Sequence, residues 1–427
     1  MRSVSLMIFT AVLFSFTHAR RVDCQQPNVN APRGVIAYIR EGKEIRLIAP
    51  DGTNDRRLWT HPRPDLAENQ GIRGLAWHPH GTELAFTSGH EAVYSLFQED
   101  LYSIRPDGTG LRKLTNPPAR AEFARLPKGT VIVTVHNDAR NLLHEQTTGL
   151  FIVYVVGAPE PQSATVPPGR SQTLTFTNVA DAGENLTQPV VAMNGPFRWF
   201  NPGVDVRPKA TVKSPQLNIL DGGVRDLSAS LPMWRHDGTQ IGYAMGCAGV
   251  WLLPAQTAAG AGVGRQLEAT KAGACGWGWG PTKALADQFI VAGALGDTSI
   301  YLASTTSAER QKLFAYEGIL FEMRWHPSGA SFFFVLNEGS SGSSLNRYDF
   351  STRKISKVKS FGDKTIRGMS ISQDGDWLVV EFGKTLEESV LSLVVSQKTI
   401  PELWVMRVDG SDLRLLVKNG QAPAWGL

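Results

Sequence analysis

Three cysteines in 427 residues are too few for a disulfide framework to hold the chain together. Long apolar runs are missing too: the longest, Val4 to Phe16, is about 13 residues, too short to span a bilayer. Charge of neither sign dominates, with 43 Lys and Arg against 39 Asp and Glu. No basic run stands out, which excludes the electrostatic footprint of a nucleic-acid binder. Of the nine histidines, none falls in an HExxH motif. No GxSxG elbow is present, since Gly339-Ser-Ser-Gly-Ser departs at its fifth position. Gly260-Ala-Gly-Val-Gly lies between expected strands and opens no helix, so it reads as a turn and not as a phosphate loop. Loop carboxylates such as Glu99, Asp100, Glu322, Glu387 and Glu388 lack ligand spacing and read as solvated charge. No catalytic residue, metal site or cofactor is therefore expected.

What the chain has in quantity is turn formers, 42 Gly and 25 Pro, beside 42% apolar residues, the balance of an all-β globular protein. At the N-terminus Arg2, the apolar run and Thr17-His18-Ala19 make the three parts of a secretory signal over residues 1–19. A lipid anchor at Cys24 is disfavoured because Arg21-Val22-Asp23 supplies no small residue before it. The expected destination is the periplasm or the exterior.

A short strand ending in an aromatic step recurs along the chain. Its anchors are Trp77, Trp234, Trp279, Trp325, Ile371 and Trp425, as in LAWHPHGTELAF from Leu75 and MRWHPSGASFFF from Met323. Intervals of 45, 46 and 46 residues separate the middle four, the range of stacked supersecondary repeats. Between anchors runs a second motif, IRLIAPDGTNDRRLW from Ile45, LYSIRPDGTGLRKLT from Leu101 and LWVMRVDGSDLRLLV from Leu403, in which an Asp-Gly turn joins two apolar strands. Each repeat thus holds four strands, A to D, and such units close radially because one alone cannot bury both faces. Residues 34–59 lack a strand A, and residues 421–427 supply one, so a single blade is completed by both ends of the chain. The fold class expected is an all-β, six-bladed propeller.

These motifs resemble the WD40-like (PD40) repeats of TolB-like β-propellers. The resemblance covers about residues 33–116 and 230–427, and the expected domains are 33–116 (blades 1 and 2) and 222–427 (blades 3 to 6 and the closing strand of blade 1). The resemblance implies an envelope protein-interaction unit. The chain departs from TolB itself, which carries an α/β domain ahead of its propeller, whereas here Arg33 follows the leader almost at once.

One interval breaks the period: Trp77 to Trp234 spans 157 residues. The excess, residues 121–220, contains β-rich runs at Thr130 to Val135, Leu150 to Val156, Thr173 to Thr177, Val190 to Met193 and Lys209 to Val212, separated by Pro, Gly and Asn turns. A structureless loop of that length is improbable in a compact fold, so an inserted Ig-like β-sandwich is expected. In it Phe197-Arg198-Trp199-Phe200 is the densest aromatic cluster, read either as core or, through Trp199, as a ligand-stacking platform.

Strand polarity places the Asp-Gly turns at Asp51, Asp107, Asp237, Asp374 and Asp409 on one face of the ring. The insertion and the long B–C connections fall on the other, the better candidate for partner contact. At the channel mouth on that irregular face the position four before each anchor offers Arg73 and Arg367, with Arg324 nearby. These either form an anion site or bridge to loop carboxylates such as Glu91 or Glu338. Cys247, after a B strand, and Cys275, opening an A strand, fall on the same face of neighbouring blades, where they form a disulfide or two buried thiols. His78, His236 and His326 recur at the anchor step and read as turn or packing residues. The functional reading is an exported, monomeric, non-catalytic scaffold that binds another envelope or extracellular protein; the alternative is an enzyme or carbohydrate-binding protein with a small-molecule or glycan site at the channel mouth.

Overall fold

The computed structural model describes residues 31–64, 71–91, 99–115, 125–138, 149–181, 188–194, 197–220, 229–245, 247–256, 264–294, 296–337, 342–362, 364–383 and 400–427. The leader and Cys24 lie outside them.

Six four-stranded antiparallel sheets follow one another in chain order. Their innermost strands are Ile72–Trp77, Ala229–Trp234, Gly276–Trp279, Ile319–Trp325, Thr365–Ile371 and Gln421–Gly426. The last of these adjoins the first, so the inner strands form a closed cycle. Gln421–Gly426 pairs with Val35–Arg40, beyond which come Glu44–Ile48 and Arg56–Thr60, so that residues from both ends of the chain build sheet one. Sheets two to six begin at Ile72, Ala229, Gly276, Ile319 and Thr365.

Burial grades from the inside outward. Second strands such as Leu84–Ser88 and Ser331–Asn337 are almost wholly buried. Outermost strands such as Lys354–Ser360 (KISKVKS) and Arg414–Lys418 are mostly exposed. Lysine and arginine along these free edges discourage pairing with other chains.

The periodic tryptophans have a hydrogen-bonding reason to recur. An innermost strand leaves its inner edge without a ladder partner, and indole N–H groups take up several of those carbonyls. Trp77 Nε1 donates to Ala424 O (3.1 Å), Trp234 Nε1 to Ala76 O (3.1 Å) and Trp325 Nε1 to Gly278 O (3.0 Å). In each case the acceptor is the residue just before the preceding sheet's anchor. Trp279 is turned onto Ala286 O, and Trp277 bonds Leu231 O in its place.

A second set of ties circles the outside. Arg56 donates to Pro106 O, Arg112 to Ala255 O, Arg265 to Thr305 O, Lys359 to Gly410 O and Arg414 to Pro50 O. Each runs from an outer strand to a turn carbonyl of the next sheet, across five of the six junctions. The Asp-Gly turns are held from within, since Asp51, Asp107, Asp237 and Asp409 accept from both the backbone N–H and the hydroxyl of the Thr or Ser two residues on.

A disulfide joins Cys247 to Cys275 across sheets three and four, with S–S 2.04 Å and a sequence separation of 28. Closing a loop of that size should contribute about 3 kcal/mol through the unfolded chain. We expect Cys247→Ser/Cys275→Ser to lower the denaturant-extrapolated stability by about that amount. A double variant as stable as the oxidised parent would show that the bond is energetically idle.

Residues 128–219 form two further sheets. In one, Gln162–Val166, Gly149–Val155, Gln188–Asn194 and Phe197–Val204 pair in that order. In the other, Lys128–Asn137 pairs antiparallel with Ser171–Ala180 and parallel with Thr211–Lys213 and Leu217–Ile219. Lys128–Asn137 alternates strictly between partly exposed and buried, so Val131, Val133 and Val135 enter a core made of residues 131–219 alone. The run expected at Lys209 to Val212 starts later, because Lys209 occupies a turn with φ of 58°.

Candidate functional site

The C-terminal ends of all six innermost strands converge on an axial cavity of about 350 Å³. Its wall includes Trp77, Trp234, Trp279, Trp325, Ile371 and Trp425. The residues two beyond these anchors, Pro79, His236, Pro281, Pro327, Gln373 and Leu427, also line it. The sequence favoured the irregular mouth, but this cavity lies at the opposite end of the strands, where the short Asp-Gly turns project. Much of the irregular face, including Glu338, Glu387 and Glu388, lies outside the described residues.

The three histidines separate here. His78 and His326 directly follow their anchors and pack against the next sheet: a Cβ on Gly238 would fall 2.0 Å from His78 Nε2, and one on Gly375 2.5 Å from His326 Nε2. Both glycines also hold positive φ, so no other residue suits the contact. Their Nδ1 atoms accept from turn amides, His80 N–H and Ser328 N–H at 3.2 Å each, and burial holds both imidazoles below the usual histidine range. His236 does not belong with them. Arg235 takes the place after Trp234, which moves His236 one residue on, into the position of Pro79 and Pro327 and onto the cavity wall.

Of the three arginines, only Arg324 reaches the cavity; Arg73 and Arg367 are not among its lining residues. All three sit beside carboxylates. Arg73 Nε lies 3.0 Å from Glu99, whose side chain is fully enclosed, and Arg324 Nη1 lies 2.7 Å from Glu322 Oε1. Arg367 lowers the carboxyl of Glu381 by its charge. The partners are Glu99, Glu322 and Glu381, rather than Glu91 or Glu338 as the sequence had suggested. Glu91 instead pairs with Lys113 (3.1 Å), which also meets Asp100 (3.2 Å). Trp199 is 7% exposed, set edge-on to Phe151 with its indole N–H on Leu220 O, so its ring is taken up by the core of residues 131–219. Among the described residues no group of three or more His, Cys, Asp or Glu side chains is arranged to hold a metal ion.

Glu381, which sequence reading passed over, is a strongly perturbed acid on the channel side. It reaches across Gly368 to accept the Ala422 N–H at 2.7 Å, tying sheet six to the closing strand. Burial, opposed by that bond and Arg367 and reinforced by the charge of Glu322, pushes its pKa up to about 7. A lone Glu in the apolar strand Trp377–Gly383 (WLVVEFG) was the available signal. An acid whose folded pKa exceeds its unfolded value contributes stability at low pH and loses it as pH rises through the folded value. Between about pH 5 and about pH 8 the urea midpoint should therefore fall, and Glu381→Gln should flatten that slope and be the more stable protein above neutrality. Parallel slopes for the two proteins would rule Glu381 out as the source.

The fold is that of a β-propeller. No protein-family model matches the chain, and no curated protein does. Similar solved structures include one assigned as TolB from Agrobacterium tumefaciens, 12% identical, covering 91% of this chain and 90% of that one with a TM-score of 0.48. TolB from Acinetobacter baumannii is 11% identical over 92% of this chain and 66% of its own, with a TM-score of 0.40. The β-propeller domain of Cps50 (Swd1) from Myceliophteria thermophila is 12% identical over 81% of this chain and 71% of its own, with a TM-score of 0.35. Among the described residues no helix is long and apolar enough to cross a membrane.

Proposed function

We propose that the protein is an exported, non-catalytic propeller that works as a binding scaffold in the cell envelope. In this reading residues 33–116 and 222–427 form the ring and 121–220 an inserted sandwich module. The observation that carries the proposal is how the charged groups inside the ring are used. Arg73, Arg324 and Arg367 sit against acids, Glu381 ties two sheets, and the axial cavity is walled by Trp and Pro with His78, His236, Arg324, Ser370 and Gln373 as its polar side chains. Such a lining holds a ligand by shape and a few directed bonds. The leader supports export. The test is affinity capture by the full mature chain from an envelope extract: one reproducible partner is expected, and turnover of a substrate by the purified chain would overturn the non-catalytic reading.

Replacing residues 116–222 by a short Gly/Ser linker should leave the ring cooperatively folded, because the core of residues 131–219 shares no member with the ring's clusters. Collapse of the ring in that variant would mean that these strands belong to it.

A further inference from the structure

We infer that the axial cavity binds a small organic acid, a molecule joining an apolar ring or chain to one carboxylate, with Arg324 and His236 as its polar contacts. This deepens the binding-scaffold reading and rests on it. At about 350 Å³ the cavity is at the lower end of the range of small-ligand pockets, and its tryptophans and prolines suit an apolar body. Two unfinished polar groups on the wall indicate what the rest of the ligand must be.

The first is the Arg324 guanidinium, whose side chain is 22% exposed. Its Nη1 is committed, to Glu322 Oε1 at 2.7 Å and to Met323 O at 3.0 Å. Nε and Nη2 have no partner among the described residues, and together they form the two-pronged edge that matches a carboxylate. Glu322 also accepts from the Met323 and Met369 N–H groups; burial pushes its carboxyl up, and Arg324 and those two bonds oppose the rise.

The second is His236. Its Nδ1 is shut off from solvent and has no hydrogen-bond partner among the described residues. In His78 and His326 the same atom is satisfied by the turn, so the orphan is particular to this position. Because Nδ1 is closed to solvent, a ligand in the cavity meets the ring through Nε2, which carries the N–H when the enclosed Nδ1 is left as a bare lone pair.

The experiment uses the mature full-length protein. Intrinsic tryptophan fluorescence and calorimetry would follow titration with indole-3-acetate and 3-phenylpropionate, each against its neutral amide, and with a tetrapeptide bearing a free terminal carboxylate. We expect at least one small acid to bind about tenfold more tightly than its amide, the preference a paired charged hydrogen bond provides. Arg324→Gln should erase the preference for acid over amide. In the parent protein, imidazole ¹⁵N spectra should show the His236 ring responding to the acid, a readout that needs no variant to fold. Equal affinity for acid and amide, an unshifted His236 resonance on saturation, or no binding by either acid would overturn the proposal. So would binding of the tetrapeptide alone, which would assign the cavity to a protein chain end. Partner capture that survives Arg324→Gln leaves the scaffold reading standing whatever the small acids do, so the two can fail separately.

Discussion

Removal of residues 421–427 yields no folded, soluble protein. The segment is the innermost strand of sheet one, paired with Val35–Arg40 along its length. Trp425 is 7% exposed and packs with Ile36, Tyr38, Trp377 and Val405. Its indole donates to Arg33 O, and the strand's own Ala424 O receives the indole of Trp77, so the deletion breaks ties on both sides of the sheet. Burying an aromatic ring of this size accounts for about 3–5 kcal/mol by itself. A newly exposed edge on Val35–Arg40, whose middle residues Ile36, Ala37, Tyr38 and Ile39 are fully buried, would add an aggregation surface. The sum reaches the whole stability of an ordinary domain. Expression of the truncated chain beside the parent, followed by circular dichroism and a melt, decides it. A truncated protein that melts cooperatively at the parental temperature would refute closure by this strand.

Asp100→Ala should be the costliest single substitution among the acids of sheet two. The Asp100 side chain is 1% exposed; it faces Lys113 Nζ at 3.2 Å and accepts the Thr115 hydroxyl at 2.9 Å, and that hydroxyl in turn receives the Leu101 N–H. Truncation leaves the Lys113 ammonium, itself only 16% exposed, to Glu91 at 3.1 Å and takes the acceptor from Thr115. Breaking a buried pair from one side costs about 3–5 kcal/mol. Asp100→Asn, which restores an acceptor without the charge, should recover part of it. Urea unfolding of the two variants measures both losses, and an Asp100→Ala midpoint close to the parent's would show that Glu91 and water suffice for Lys113.

Much of the ring was legible because its determinants are local. Alternating apolar residues and Asp-Gly turns mark strands and hairpins within a dozen residues, and the Trp spacing carries the sheet order. Contacts between sheets were harder to see. Nothing in the text pairs Arg73 with Glu99 or Glu381 with Ala422, because those partners lie in different strands and meet only through register. A one-residue offset was enough to misplace His236: with Trp77 of AWHP and Trp234 of MWRH as the anchors, the residue that matches His78 is Arg235 and not His236. The cavity escaped for a related reason. Its rim is built from turn residues, three of them proline, that read as punctuation in sequence and become a wall only when six strand ends converge. The arginine five residues after Asp51, Asp107 and Asp409 could have been noticed as a repeat, but its acceptor sits in the next sheet.

Those outer clasps all point the same way round. Every clasping sheet gives a cation to its successor's turn, a head-to-tail contact of the kind that builds rings from separate subunits, here closed within one polypeptide. The injury from losing a clasp is therefore displaced: the sheet that loses its arginine keeps its own turn held by its predecessor, and the neighbour downstream is the one whose turn is released. Damage in such a ring propagates with a direction, and a variant's phenotype should be sought one sheet beyond the residue that was changed.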